Sequence, residues 1–371
     1  MNYLNTERQT LNKYLPGLDE QLRKHSFDEL EQRDGPAIPL FRDAGGPALL
    51  APKEYGGLGA SPVDAVQIHR AIGSRSPSLG IAATMHNFSL ATLVEYGEYS
   101  SEFLKNICMG QLLVASGFAE GRTGSSILAP TMKAAKTDGG YVINGSKKPC
   151  SLSRSLHLLT ASIAVPAREG EGCERAVAII PADSAGIGNK PFWKSPVLAG
   201  AESDELTLTD VFVPDEMIFF PMVQGGLDPI ETAGFLWFEL LVTASYLGMA
   251  SALVERAIVS KKGGAGEQTQ LAMETETAMA ALEGLAYGMQ QGDRCERSLA
   301  RALFVRFGVQ TMIERAAARS SELLGGIAFI NNPEVAYLLA ATRALAFHPP
   351  SRISASVPLA SFLTGEPFQL A

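Results

Sequence analysis

Residues 112–164 constrain the fold most. They carry two apolar, β-like stretches on either side of Gly124-Ser125-Ser126. A hairpin signal at Asp138-Gly139-Gly140 then leads into Tyr141-Val142-Ile143-Asn144. Similar short β-rich pieces follow at 158–165, 175–180, 205–208 and 211–213, separated by turn residues. That spacing predicts a small β-barrel or sandwich over residues 111–224.

The flanks read differently. Residues 11–22 and 63–72 place apolar side chains three to four apart, which predicts helices in an N-terminal domain, residues 1–110. Between them, Ala51-Pro52-Lys53-Glu54-Tyr55-Gly56-Gly57-Leu58-Gly59-Ala60 is a Gly-rich turn. It lacks the preceding strand and the Gly order of a phosphate cradle, so it reads as a structural loop. Residues 235–260 form a long apolar helix, and 269–287 and 297–324 continue with Ala-rich faces suited to close packing. The expected architecture is mainly α with a β domain: helical domain, β domain, and a four-helix bundle over residues 225–371.

Composition excludes several functions. The formal charge of −8 argues against nucleic acid or an anionic membrane as partner. Cys108, Cys150, Cys173 and Cys295 are scattered without a Cys-x-x-Cys pair, which argues against a zinc site or a disulfide framework and fits a reducing compartment. No signal peptide and no membrane-spanning apolar run is expected, so the reading is a cytoplasmic protein.

Five stretches resemble the acyl-CoA dehydrogenase family. Glu54-Tyr55-Gly56-Gly57-Leu58-Gly59 is similar to a turn of its N-terminal domain. Ala119-Glu120-Gly121-Arg122-Thr123-Gly124-Ser125-Ser126 is similar to its first flavin motif, with Ala119 at the usual Thr and Ser126 at the usual Asp. Asn144-Gly145-Ser146-Lys147-Lys148-Pro149-Cys150-Ser151 is similar to the second, with Pro149 at the usual Trp and Ser151 at the usual Thr. The run from Glu205 to Pro214 is similar to the family's exit from the β domain, and Glu322-Leu323-Leu324-Gly325-Gly326-Ile327-Ala328-Phe329 to its Gly-Gly segment.

The resemblance implies that fold, FAD as cofactor, and a homodimer or homotetramer. Phe118, Ala119, Gly124, Ser125, Pro149 and Ser151 would meet the flavin ring. Glu322, Gly325 and Gly326 would meet its adenosine side from a neighbouring subunit. The implied reaction is α,β-dehydrogenation of an acyl thioester, on coenzyme A or an acyl-carrier protein, with a flavoprotein or oxygen as electron acceptor. One family segment is missing: Lys261-Lys262-Gly263-Gly264 stands where the family has the Arg-x-x-Phe-Gly that grips the dinucleotide.

Such a reaction needs a desolvated base within about 3 Å of the proton beside the thioester carbonyl. The resemblance puts it in one of two places. At the C-terminal loop, ungapped counting sets His348 at the family's Glu. On the first bundle helix, alignment on Gly248 sets Phe238 at the alternative position, with Glu239 one residue, or about 100°, away. Glu239, an acid among Trp237, Phe238 and Leu240, is the first expectation for the base and His348 the second. The chief rival is a flavin-dependent monooxygenase on the same fold, in which His86 or His348 would orient the oxygen species. A further rival is a non-catalytic relative.

Overall fold

The computed structural model describes residues 2–97, 101–122, 129–167, 172–222 and 227–370. Seven helices come first: α1 (Asn5–Tyr14), α2 (Leu18–Arg23), α3 (Phe27–Glu31), α4 (Ala37–Asp43), α5 (Pro62–Arg75), α6 (Pro77–Glu95) and α7 (Ser101–Gly110). α5 starts where the sequence writes a capping box: the Ser61 hydroxyl accepts from the Asp64 N–H, and the Asp64 carboxylate accepts from the Ser61 N–H. The Gly-rich turn is structural. At Gly56 and Gly59 the backbone has φ of +83° and +64°, and a Cβ on Gly57 would collide with the Ala51 carbonyl.

Eight strands follow: β1 (Val114–Gly117), β2 (Lys133–Thr137), β3 (Gly140–Cys150), β4 (Leu158–Pro166), β5 (Cys173–Pro181), β6 (Ile187–Lys190), β7 (Asp204–Pro214) and β8 (Ile218–Phe219). Among the described residues they form one sheet in the order β6-β7-β3-β2-β4-β5-β8, with β1 paired parallel to β4. The Asp138-Gly139 hairpin is formed, Thr137 facing Gly140. The β3–β7 register shifts between Ile143 and Gly145 and again between Lys147 and Cys150, so the strand bends there. Lys147, fully buried on this strand, donates to Glu120 at 2.8 Å and to Ser162 at 3.0 Å. Glu120 in turn accepts from the backbone N–H groups of Thr131 and Met132. Burial alone would raise the Glu120 carboxyl, but its bonds to Lys147 and Thr131 bring it down to about 2.

The last third is α8 (Pro229–Val259), α9 (Ala265–Gln290), α10 (Glu296–Leu324), α11 (Gly326–Asn331), α12 (Pro333–Arg343) and α13 (Arg352–Leu363). α8 is the axis of the molecule: it packs on α5, α6, α9, α10 and α12. It is long and apolar enough to cross a membrane, which corrects the expectation that no such run exists, but its apolar window is entirely buried in protein. A helix apolar all round finds its apolar surroundings in neighbouring helices.

α5 and α8 approach to backbone contact. Gly73 faces the Ser245 carbonyl, and Gly248 faces the Arg70 carbonyl and, at 2.9 Å from an added Cβ, the Ser74 nitrogen. No side chain fits there. Gly248→Ala is therefore expected to wedge the two helices apart and cost about 3 kcal/mol. Thermal unfolding checks this: an unchanged midpoint would show that the contact yields freely.

Candidate functional site

The sheet turns one face toward α6 and α8, and a cavity of about 360 Å³ lies between them. Ser116, Thr160 and Val177 line it from the sheet. Met85, Phe88 and Thr92 line it from α6 at spacings of three and four, one face of a helix. Glu231, Phe235 and Phe238 do the same from α8. The size suits a flat ring system with a small substrate beside it.

Four of the residues expected at a flavin ring line this cavity: Phe118, Ala119, Pro149 and Ser151. The Ser151 hydroxyl bonds that of Ser203, also a lining residue, at 2.9 Å. The wall thus offers apolar surface beside paired hydroxyls, the donor set an isoalloxazine ring needs, and the residues fit that group. Gly124 and Ser125 lie outside the described residues. Glu322, Gly325 and Gly326 do not line the cavity. They sit where α10 gives way to α11; Gly325 takes φ +85° and caps α10, and a Cβ on either glycine would meet open space. Lys261 and Lys262 are exposed just beyond α8.

The two expected bases fare differently. His348 lines the cavity. Its Nε2 lies 2.9 Å from the hydroxyl of Tyr246, and its ring packs edge-on against Phe238 and Tyr246. Burial first, then the Arg306 charge, lower it to about 3, so the ring is neutral at ordinary pH. Glu239 does not reach the cavity. It is 1 % exposed and faces α10, where Arg306 Nη1 donates to its two oxygens at 3.0 and 2.8 Å. Burial pushes its carboxyl up to about 7 against the pull of Arg306. The helical offset of one residue explains the difference, since Phe238 faces the cavity and Glu239 faces away. The rival role for His86 also meets an obstacle. The ring is fully buried, accepts from the Val114 N–H at Nδ1 and donates to the Pro47 carbonyl at Nε2, and does not line the cavity.

Arg306 does more than hold Glu239. Its Nη2 donates to the carbonyls of Leu345 (3.1 Å) and His348 (2.7 Å), and its Nη1 reaches that of Pro349 (3.4 Å). One guanidinium fork thereby fixes the turn that presents the imidazole. Sequence reasoning missed Arg306, Tyr246, Arg175 and Glu231. The first three carry no motif. Glu231 was visible as the fourth residue of Asp228-Pro229-Ile230-Glu231, a capping box, and stands four and seven residues before Phe235 and Phe238.

The chain is similar to known proteins. A family model described as acyl-CoA dehydrogenase, N-terminal domain, matches residues 6–111. The chain is 44 % identical over 379 residues to an isobutylamine N-hydroxylase of Streptomyces viridifaciens, with 100 % of each covered. In fold it is similar to a prolyl acyl carrier protein oxidase, AnaB, at a TM-score of 0.82 and 18 % identity, over 97 % of this chain and 99 % of that one. It is likewise similar to FMN-bound TdsC of Paenibacillus sp. A11-2, at a TM-score of 0.80 and 18 % identity, over 100 % and 99 %. With the three-part fold, the flavin-fitting cavity and a full-length relative in hand, the chain belongs to the acyl-CoA dehydrogenase-like family of flavoproteins.

Proposed function

We propose that this protein is a flavin-dependent monooxygenase that hydroxylates the nitrogen of a small aliphatic primary amine. The observation that carries this reading is the acid–base equipment of the cavity. Removing a proton beside a thioester carbonyl calls for a free carboxylate at one of the family's two base positions, and neither has one; the cavity's one carboxylate among the described residues, Glu231, stands about 10 Å along α8 from Phe238. Glu239 is bound at both oxygens outside the cavity, and the position that resembles the family's loop base holds a neutral imidazole with a pKa near 3. Identity of 44 % along the whole length of an amine N-hydroxylase supports the reaction class. This reading replaces acyl-thioester dehydrogenation as the best-supported function.

Phe118, Ala119, Pro149 and Ser151 would hold the ring. A reduced flavin bound there supplies the oxygen atom from O2. His348 acts as a donor. The Tyr246 hydroxyl is fully buried and has no other partner among the described residues, so its O–H donates to Nε2 and the imidazole proton sits on Nδ1. Nδ1–H has no partner among the described residues and is available to the cavity. Burial raises Tyr246 well above its ordinary value, so it stays a donor throughout. The phenylalanines of α6 and α8 exclude water. We infer FAD as the flavin, with residues 322–326 of a second copy on its adenosine side. Ile327 and Ile330 beside them, each 74 % exposed, support burial of that surface between chains.

The test supplies the purified chain with oxygen, isobutylamine, FAD and a flavin reductase with its nicotinamide donor. Isobutylhydroxylamine is the expected product. Anaerobic bleaching of the oxidised flavin by a short-chain acyl-CoA, with the amine untouched, would overturn the reading. His348→Ala is expected to lower product formation about 10²-fold while flavin binding is kept. Glu239→Gln strands a buried guanidinium and is expected to cost about 3–5 kcal/mol in denaturant unfolding. The double change Glu239→Leu with Arg306→Met should recover most of that stability and little of the activity, because the 345–349 turn still lacks its donor.

A further inference from the structure

Among the described residues, Glu231 is the single carboxylate on the cavity wall. It sits in the first turn of α8, and its side chain is 14 % exposed. Its Oε2 accepts from Arg175 Nη2 at 2.6 Å and from the Asp228 N–H at 3.2 Å. Those two bonds complete the helix cap and the ion pair. Oε1 takes part in neither and has no hydrogen-bonding partner among the described residues. The groups around the carboxyl are Arg175 from β5, Tyr96 just past the end of α6, whose ring packs on Phe219 of β8, and Asp228, the residue that caps α8. Oε1 is not sealed off from solvent, so it is open to whatever enters the cavity.

The following rests on the reading that the substrate is an amine. A primary aliphatic amine is an ammonium ion in neutral water, yet its nitrogen needs a free electron pair to take up oxygen. An apolar cavity does not admit a bare cation. We propose that Glu231 is the entry subsite of this cavity: it binds the incoming ammonium through Oε1 and takes its proton. One N–H bond breaks, the nitrogen keeps the electron pair, and an O–H bond forms on Glu231, which holds that proton for as long as the amine is bound and returns it to water once the product has left. The neutral amine then moves along Phe235 and Phe238. Seven residues of helix make that path about 10 Å, and it ends where Phe238 meets the His348 ring, 5.9 Å between centroids. Burial, only partly offset by Arg175, pushes the Glu231 carboxyl up to about 7. It can therefore accept a proton and release it within the ordinary pH range.

Because an ammonium ion binds the ionised form, binding at pH 6 must expel the proton that Glu231 carries there. At pH 8.5 there is none to expel. Titration calorimetry of the full chain, with oxidised flavin present, is run with isobutylammonium chloride in buffers of different ionisation heat. The expected result is release of nearly one proton per amine at pH 6 and almost none at pH 8.5. Glu231→Gln, which keeps an acceptor for Arg175 and for the helix cap, is expected to abolish the release and to weaken binding at least tenfold. It should bind the uncharged probe isobutanol as the parent does. Glu231→Asp should retain the proton release, and it carries the test if the Gln variant misfolds. Parent-like affinity and proton release in Glu231→Gln, or no release in a folded Glu231→Asp, overturns the proposal while the amine reading stands. If the parent chain binds no isobutylammonium, the amine reading falls and this subsite falls with it.

Discussion

The Arg306 guanidinium is the interaction on which the rest of the site depends. It is almost wholly buried and joins three separate pieces of chain: Glu239 on α8, its own helix α10, and the carbonyls of the turn from Leu345 to Pro349. Burying such a cation is unfavourable unless its donors find partners; one carboxylate and three backbone oxygens supply them for the two Nη groups, while Nε has none among the described residues. The pair adds little net stability over an apolar substitute of the same shape. What it contributes is a fixed placement of the imidazole, because the carbonyls accept only in the plane of the fork. The same positive charge helps to keep that imidazole neutral.

Chemistry in this cavity then follows from which side chains α8 shows to it. Glu231, Phe235 and Phe238 share one stripe, and Glu239 falls on the next. Along that stripe an acid at the first turn gives way to aromatic rings that meet His348. The facing sheet contributes hydroxyls and apolar surface, with Arg175 as its one charged lining group among the described residues.

Much of this was legible in the sequence. The helical, β and helical textures follow from periodicity, and the described strands contain the short pieces at 141–144, 158–165 and 175–180. Pro149 and Ser151 could be read because motif order alone locates them at the end of the bent strand β3 and just past it. The role of Glu239 could not. Its partner lies 67 residues away, and no local pattern links the two. An acid in an apolar helix announces that something must satisfy it, without saying whether a substrate or an arginine does so. Glu231 was hidden for the opposite reason: its sequence context is fully explained by helix capping, which one of its oxygens provides. Only the three-dimensional cavity exposes the other.

The glycine contact between α5 and α8 has a consequence for how such proteins diverge. With Gly73 and Gly248 seated against opposing backbone, α8 cannot spin about its long axis, so its rotational setting is locked against α5, which does not line the cavity. One residue inserted between Glu239 and Ser245 would leave that lock intact and shift the preceding turns by one position. Glu239 would move into the slot of Phe238, exchanging a hydrophobe for an acid at the reacting end. In this architecture a single-codon insertion outside the cavity resets which side chain of α8 meets its reacting end.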